Sequence, residues 1–173
     1  MPRRTSRGAA PRTRADRGSD DPVPAAIGLL ARRAHSRSEL RIKLRRRGYA
    51  VEAVDTAIAR LVELGYLDDR SFAQGLVRRR GAVRGPLALS AELAAKGVDR
   101  AQADAAVAEF DPQAQLLSAT RLAERLHARR PVTSYHEMLD GVGSKLLRRG
   151  FPAIVVRAAC RSVLFGAPPT TED

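Results

Sequence analysis

One pattern constrains this chain more than any other: a glycine-centred motif occurs three times. The segments are Lys43-Leu44-Arg45-Arg46-Arg47-Gly48-Tyr49, Glu92-Leu93-Ala94-Ala95-Lys96-Gly97-Val98 and Lys145-Leu146-Leu147-Arg148-Arg149-Gly150-Phe151. Each has Leu four residues before the glycine, a base just before it and an apolar residue just after it. The register persists on both sides. Eight residues before the glycine stand Leu40, Leu89 and Val142, and six after it stand Val54, Ala103 and Val156. Nine after come Ala57, Ala106 and Ala159, ten after come Ile58, Val107 and Cys160, and thirteen after come Leu61, Phe110 and Val163. These offsets describe a helix, a glycine stop and a second helix, with inward positions at helical spacing. The glycines are 49 and 53 residues apart, which leaves room for one further helix per unit. The expectation is an all-α fold of three tandem three-helix modules in an elongated array, because stacked repeats mainly touch their neighbours.

Start and stop signals agree with that division. Ser36 and Glu39 have capping-box spacing, as do Ser134 and Glu137. Gly65 ends a helix, and Asp68 or Asp69 caps the next. Pro86 and Pro112 suit first helical positions, Asp99 opens a helix, Pro131 stops one and Pro152 begins the last. The modules are placed at 25–67, 68–110 and 111–166. Residues 1–24 are expected to form a disordered basic arm, since six arginines among Pro, Gly, Ser and Asp bury almost nothing. Residues 167–173 are expected to form a short disordered tail. Gly141 and Gly143 fall inside the third module's middle helix, at a cost of about 1 kcal/mol each, so fraying or a kink is expected there.

Charge points to a polyanionic partner. The chain carries a formal charge of +12 with a pI near 11.3. Residues 25–67 hold nine bases against four acids, whereas residues 68–110 hold seven against six. Arg37, Arg41 and Arg45 recur every four residues and are expected to form a cationic ridge, with Lys43 and Arg46 beside it. Arg78, Arg79, Arg80 and Arg84 cluster near a helix end, and Lys145, Arg148 and Arg149 near another. These twelve bases are the candidate partner-binding or DNA-binding residues. Bases late in a helix also complement its dipole, which explains their position but not their excess.

Catalytic chemistry is not indicated. His35, His127 and His136 are scattered without ligand spacing, and Cys160 occupies a repeat position filled elsewhere by Ile58 and Val107. There is no phosphate-binding glycine loop, and no cofactor or metal is expected. No apolar run approaches the ~18 residues of a membrane span, and no secretory signal stands at the N-terminus. The expectation is a cytoplasmic, non-enzymatic protein.

The stretch from Leu29 to Phe110 resembles the RecX family. It shows Leu29-Leu30-Ala31-Arg32-Arg33, then Ser36-Arg37-Ser38-Glu39-Leu40, then Lys43-Leu44 with Gly48-Tyr49. It continues with Gly65-Tyr66-Leu67-Asp68-Asp69, Phe72-Ala73, Gly85-Pro86, Leu89, Glu92-Leu93 and Lys96-Gly97. The third module agrees mainly through Leu146 to Phe151. The resemblance implies tandem three-helix modules and a monomeric regulator. It implies binding to RecA, or to the RecA–single-stranded DNA filament, with suppression of filament growth, ATP hydrolysis, strand exchange and co-protease activity. This would tune DNA repair, recombination and the SOS response, and direct contact with DNA is associated with the family. The Arg-rich arm lies outside the shared pattern. The competing expectation is a DNA-binding transcriptional regulator using a helix-turn-helix-like pair, which a three-helix module can imitate.

Overall fold

The computed structural model describes residues 21–166, and every regular element among them is helical. The expected arm and tail fall outside these residues, except that helix α1 already begins at Val23. Asp21 Oδ1 accepts the Val23 N–H at 2.9 Å, and Pro24 suits the first turn.

Helices α1 (Val23–Leu30), α2 (Arg37–Arg46) and α3 (Val51–Glu63) form the first unit. Helices α4 (Asp69–Arg80), α5 (Pro86–Ala95) and α6 (Arg100–Ala108) form the second. The remaining chain forms α7 (Pro112–Arg129), α8 (Tyr135–Met138), a π-helical turn (Leu139–Gly143), α9 (Ser144–Arg148) and α10 (Ala153–Phe165). Each group has its own core. Ala26, Leu40, Leu44, Val54, Ile58 and Leu61 meet in the first. Phe72, Leu76, Leu89, Leu93, Ala103 and Ala106 meet in the second. Leu116, Val142, Leu146, Val156, Ala159 and Cys160 are among those that meet in the last. The repeat positions predict these cores closely. Leu44, Leu93 and Leu146 are completely buried, while Val107, Phe110 and Val163 pack at core edges. Cys160 is a core residue, and desolvation pushes its thiol up to about 11, far from a reactive thiolate.

The three repeat glycines stop their helices alike. Gly48, Gly97 and Gly150 all adopt positive φ (+92°, +68° and +82°), the left-handed conformation that terminates a helix. The third middle helix bears out the expected irregularity: Leu139–Gly143 forms a π turn. Gly143 lies where a β-carbon would press within 3.3 Å of Val156 on α10, so its lack of a side chain permits close helix packing.

The middle helices are stacked end to start between units. At the first junction the α5 terminus meets the α2 start. Ser36 Oγ, which accepts the Glu39 N–H at 3.0 Å, donates to the Lys96 carbonyl. A β-carbon on Gly97 would collide with Ser38. At the second junction the α9 terminus meets the α5 start. Gly85 N–H donates to the Arg149 carbonyl (2.9 Å) and Leu87 N–H to the Gly150 carbonyl (3.1 Å). A β-carbon on Gly85 would strike Gly150, and one on Gly150 would strike Ala88. Thus at the second junction the unfilled N–H groups of the helix start and the unfilled carbonyls of the next unit's helix end satisfy one another directly, whereas at the first the Ser36 hydroxyl mediates between them.

Candidate partner-binding surface

The first junction gathers most of the buried polar groups. Asp68 caps its own helix, accepting the N–H groups of Arg70 (3.0 Å) and Ser71 (3.1 Å). A hydrogen bond from the Ser71 side chain chiefly holds its carboxyl below the ordinary range, and the two backbone bonds add to it. Asp69 is buried and acts across the junction: its Oδ1 accepts the Arg37 N–H, at the start of α2, at 2.8 Å. Glu39 does not complete the expected capping box. Its carboxylate instead accepts from Arg33 (3.1 and 3.2 Å) and Lys96 (3.0 Å). Burial pushes the Glu39 carboxyl up, but the hydrogen bonds and charges of Arg33 and Lys96 outweigh it and bring it down to about 2. His35 is buried beside this pair with Nδ1 2.9 Å from the Arg33 carbonyl, and desolvation lowers its pKa.

The structure separates the candidate bases into two sets. The expected Arg37–Arg41–Arg45 ridge is interrupted. Arg37 Nε is buried and its backbone is tied to Asp69, while Arg41 pairs with Asp55 on α3 at 2.7 Å. Arg45 and Arg46 are exposed, and Lys43 is half-buried. Arg80 and Arg84 converge on Glu92 at 3.6 and 3.7 Å. Arg149 reaches back across the second junction to the Val83 carbonyl at 3.4 Å. By contrast Arg45, Arg46, Arg78, Arg79, Lys145 and Arg148 are exposed and make no ion pair among the described residues. These six come from α2, α4 and α9, so unpaired positive charge is spread over all three units.

Arg79 and Arg80 also line a groove with Arg33 and Lys96, over a floor of Phe72 and Leu76. Arg33 and Lys96 are absent from the sequence-derived set. Lys96 was detectable as the base preceding a repeat glycine, but Arg33 joins the groove only because the α1–α2 connection is brought against α4 and α5. No group of three His, Cys, Asp or Glu residues among those described could hold a metal ion. No described helix is long and apolar enough to cross a membrane. The surface offers distributed, fixed positive charge, which suits contact with an extended anionic partner.

Comparison with known proteins agrees with this organisation. The family description "RecX, first three-helix domain" matches residues 25–61, and "RecX, second three-helix domain" matches residues 68–107. Regulatory protein RecX of Stenotrophomonas maltophilia (strain K279a) is 38% identical over 143 residues, covering 81% of this chain and 85% of the relative. Regulatory protein RecX of Xanthomonas axonopodis pv. citri (strain 306) is 39% identical over 141 residues, covering 81% and 86%. The crystal structure of RecX from Lactobacillus salivarius superposes with a TM-score of 0.73 at 24% identity, covering 82% of this chain and 93% of that one. With tandem helical units built on the same glycine register and this identity across four-fifths of its length, the chain belongs to the RecX family of regulatory proteins.

Proposed function

We propose that this chain binds RecA on single-stranded DNA and restrains the filament, lowering its growth, ATP hydrolysis, strand exchange and co-protease activity. Family membership supplies the direction of this reading. The observation that supports it most is the distribution of unpaired bases. Arg45 and Arg46, Arg78 and Arg79, and Lys145 and Arg148 are exposed on successive units without an ion pair among the described residues. Such an arrangement suits a long, repeating surface of acidic protein faces and phosphates better than a single small ligand. The chain acts by contact, as a monomer of three modules at 25–67, 68–110 and 111–166.

The test is direct. Saturating protein added to RecA on single-stranded DNA should suppress ATP turnover, and an unchanged rate overturns the reading. Protection of a defined sequence on naked duplex would favour the transcriptional-regulator reading instead. Weak, sequence-blind and salt-sensitive duplex binding is compatible with a filament binder.

A further inference from the structure

The three repeat glycine turns share one geometry, yet among the described residues only two receive a neighbouring helix start. In each, the glycine N–H bonds the carbonyl three residues back: Gly48 to Arg45 (2.9 Å), Gly97 to Ala94 (2.9 Å) and Gly150 to Leu147 (2.8 Å). In each, the next residue's N–H reaches the leucine four before the glycine, at 3.5, 3.1 and 3.2 Å. The Gly97 turn holds Ser38, in the first turn of α2, and the Gly150 turn holds Ala88, in the first turn of α5. The base preceding each occupied turn reaches into the neighbouring unit near the helix start that the turn receives. Lys96 takes Glu39, the third residue of α2, and Arg149 takes the Val83 carbonyl, just before α5. At the corresponding turn of the first unit, a β-carbon on Gly48 would meet nothing within 4 Å. Arg47 is exposed there and has no ion pair among the described residues, and Arg45 and Arg46 stand beside it.

We propose that the Gly48 turn is the free coupling end of the array, and that it docks the first turn of a helix on the partner. Resting on the reading of this chain as a filament-binding regulator, that partner helix belongs to the RecA filament. The two occupied turns define what fits. The docked helix start carries a small side chain in its first turn, where Ser38 and Ala88 stand. It also carries an acid at about its third position, where Glu39 stands. Two forces drive docking. The bare carbonyls of the α2 terminus face bare N–H groups of the incoming helix, and Arg47 takes the acid as Lys96 takes Glu39. The neighbouring charges of Arg45 and Arg46 favour a helix that begins with acids and disfavour one that begins with bases.

The experiment places a photo-cross-linking p-benzoylphenylalanine at Arg46 of the full chain, mixed with RecA on single-stranded DNA. Cross-linked RecA peptides are expected to contain a helix start with Asp or Glu in its first turn. Arg47→Glu should weaken filament binding at least tenfold, Arg47→Lys should restore most of it, and Arg60→Glu on exposed α3 should change it little. Cross-links to DNA, to residues 1–20 of the same chain, to a second copy or to a RecA segment that starts no helix overturn the proposal. So does undiminished binding by Arg47→Glu. In these cases inhibition by the unsubstituted chain persists and the proposed function stands. Failure of the unsubstituted chain to bind the filament overturns both.

Discussion

The two junctions perform the same task with different chemistry. Both seat a helix end carrying a left-handed glycine on the start of the preceding middle helix. The first is held largely by side chains: Ser36, Glu39, Asp69, Arg33 and Lys96. The second is held by backbone, with Gly85 and Leu87 donating directly to Arg149 and Gly150. At the position of Ser36 the second junction has Gly85, whose missing side chain lets the two backbones touch. A side-chain junction responds to pH and salt because its partners titrate and are screened. A backbone junction responds to neither, but it tolerates no added atom. Similar geometry therefore yields one adjustable contact and one fixed one.

The largest expected effect comes from adding that atom. Gly150→Ala combines strain at φ +82° with the collision against Ala88, and should destabilise the second junction by about 2–5 kcal/mol. Gly48→Ala carries similar strain but meets nothing, so about 1–2 kcal/mol is expected. Amide hydrogen exchange at Gly85 and Leu87 should accelerate in the first variant only. Equal exchange in both would remove the distinction between an occupied and an open turn.

Asp69→Asn comes next. It keeps the shape but exchanges a charge-assisted acceptor for a neutral one at a buried helix start, at a cost of about 1.5–3 kcal/mol at most. Faster exchange confined to the α2 start would sharpen the contrast, whereas equal acceleration at the α5 start would show that the two junctions open together.

Acid gives the smallest and most reversible test. The Glu39 carboxyl is held at about 2, below its unfolded value. Its stabilisation is therefore present above the ordinary carboxylate range and is lost as pH falls from about 4.3 through about 2. His35, depressed by burial, withdraws stability already as pH falls below about 6.5, because the unfolded chain takes up the proton first. Between pH 7 and 3, amide protection factors, taken relative to the intrinsic exchange rate at each pH, should fall at Arg37 and Glu39 before they fall at Gly85 and Leu87. Glu39→Gln should flatten the lower part of that profile. The same order at high salt would follow from screening, and simultaneous opening would contradict the division.

Much of this architecture was legible in the residues themselves. Leu44, Leu93 and Leu146 mark their buried positions because helical spacing is local and each unit repeats it. The stops at Gly48, Gly97 and Gly150 were legible for the same reason. The roles of Asp69 and Glu39 were not. Both carry good local capping signals, and both are diverted to groups brought close only by stacking: the Arg37 N–H lies 32 residues from Asp69, and Lys96 lies 57 from Glu39. The cationic ridge failed as a continuous feature on similar grounds. Spacing places Arg37 and Arg41 on one face of α2, but α3 supplies Asp55 to Arg41, and Arg37 Nε is buried. Periodicity reports which face a residue takes, and it is silent on which charges the fold will carry to meet it.

The end-to-start stacking also gives this protein an order of completion during synthesis. The start of α2 receives its partner only when residues 96 and 97 have left the ribosome, and the start of α5 only when residues 149 and 150 have followed. Each of the first two units is thus finished by the one translated after it. A chain cut short after its second unit would keep a sealed α2 and leave the Gly85 and Leu87 amides to water.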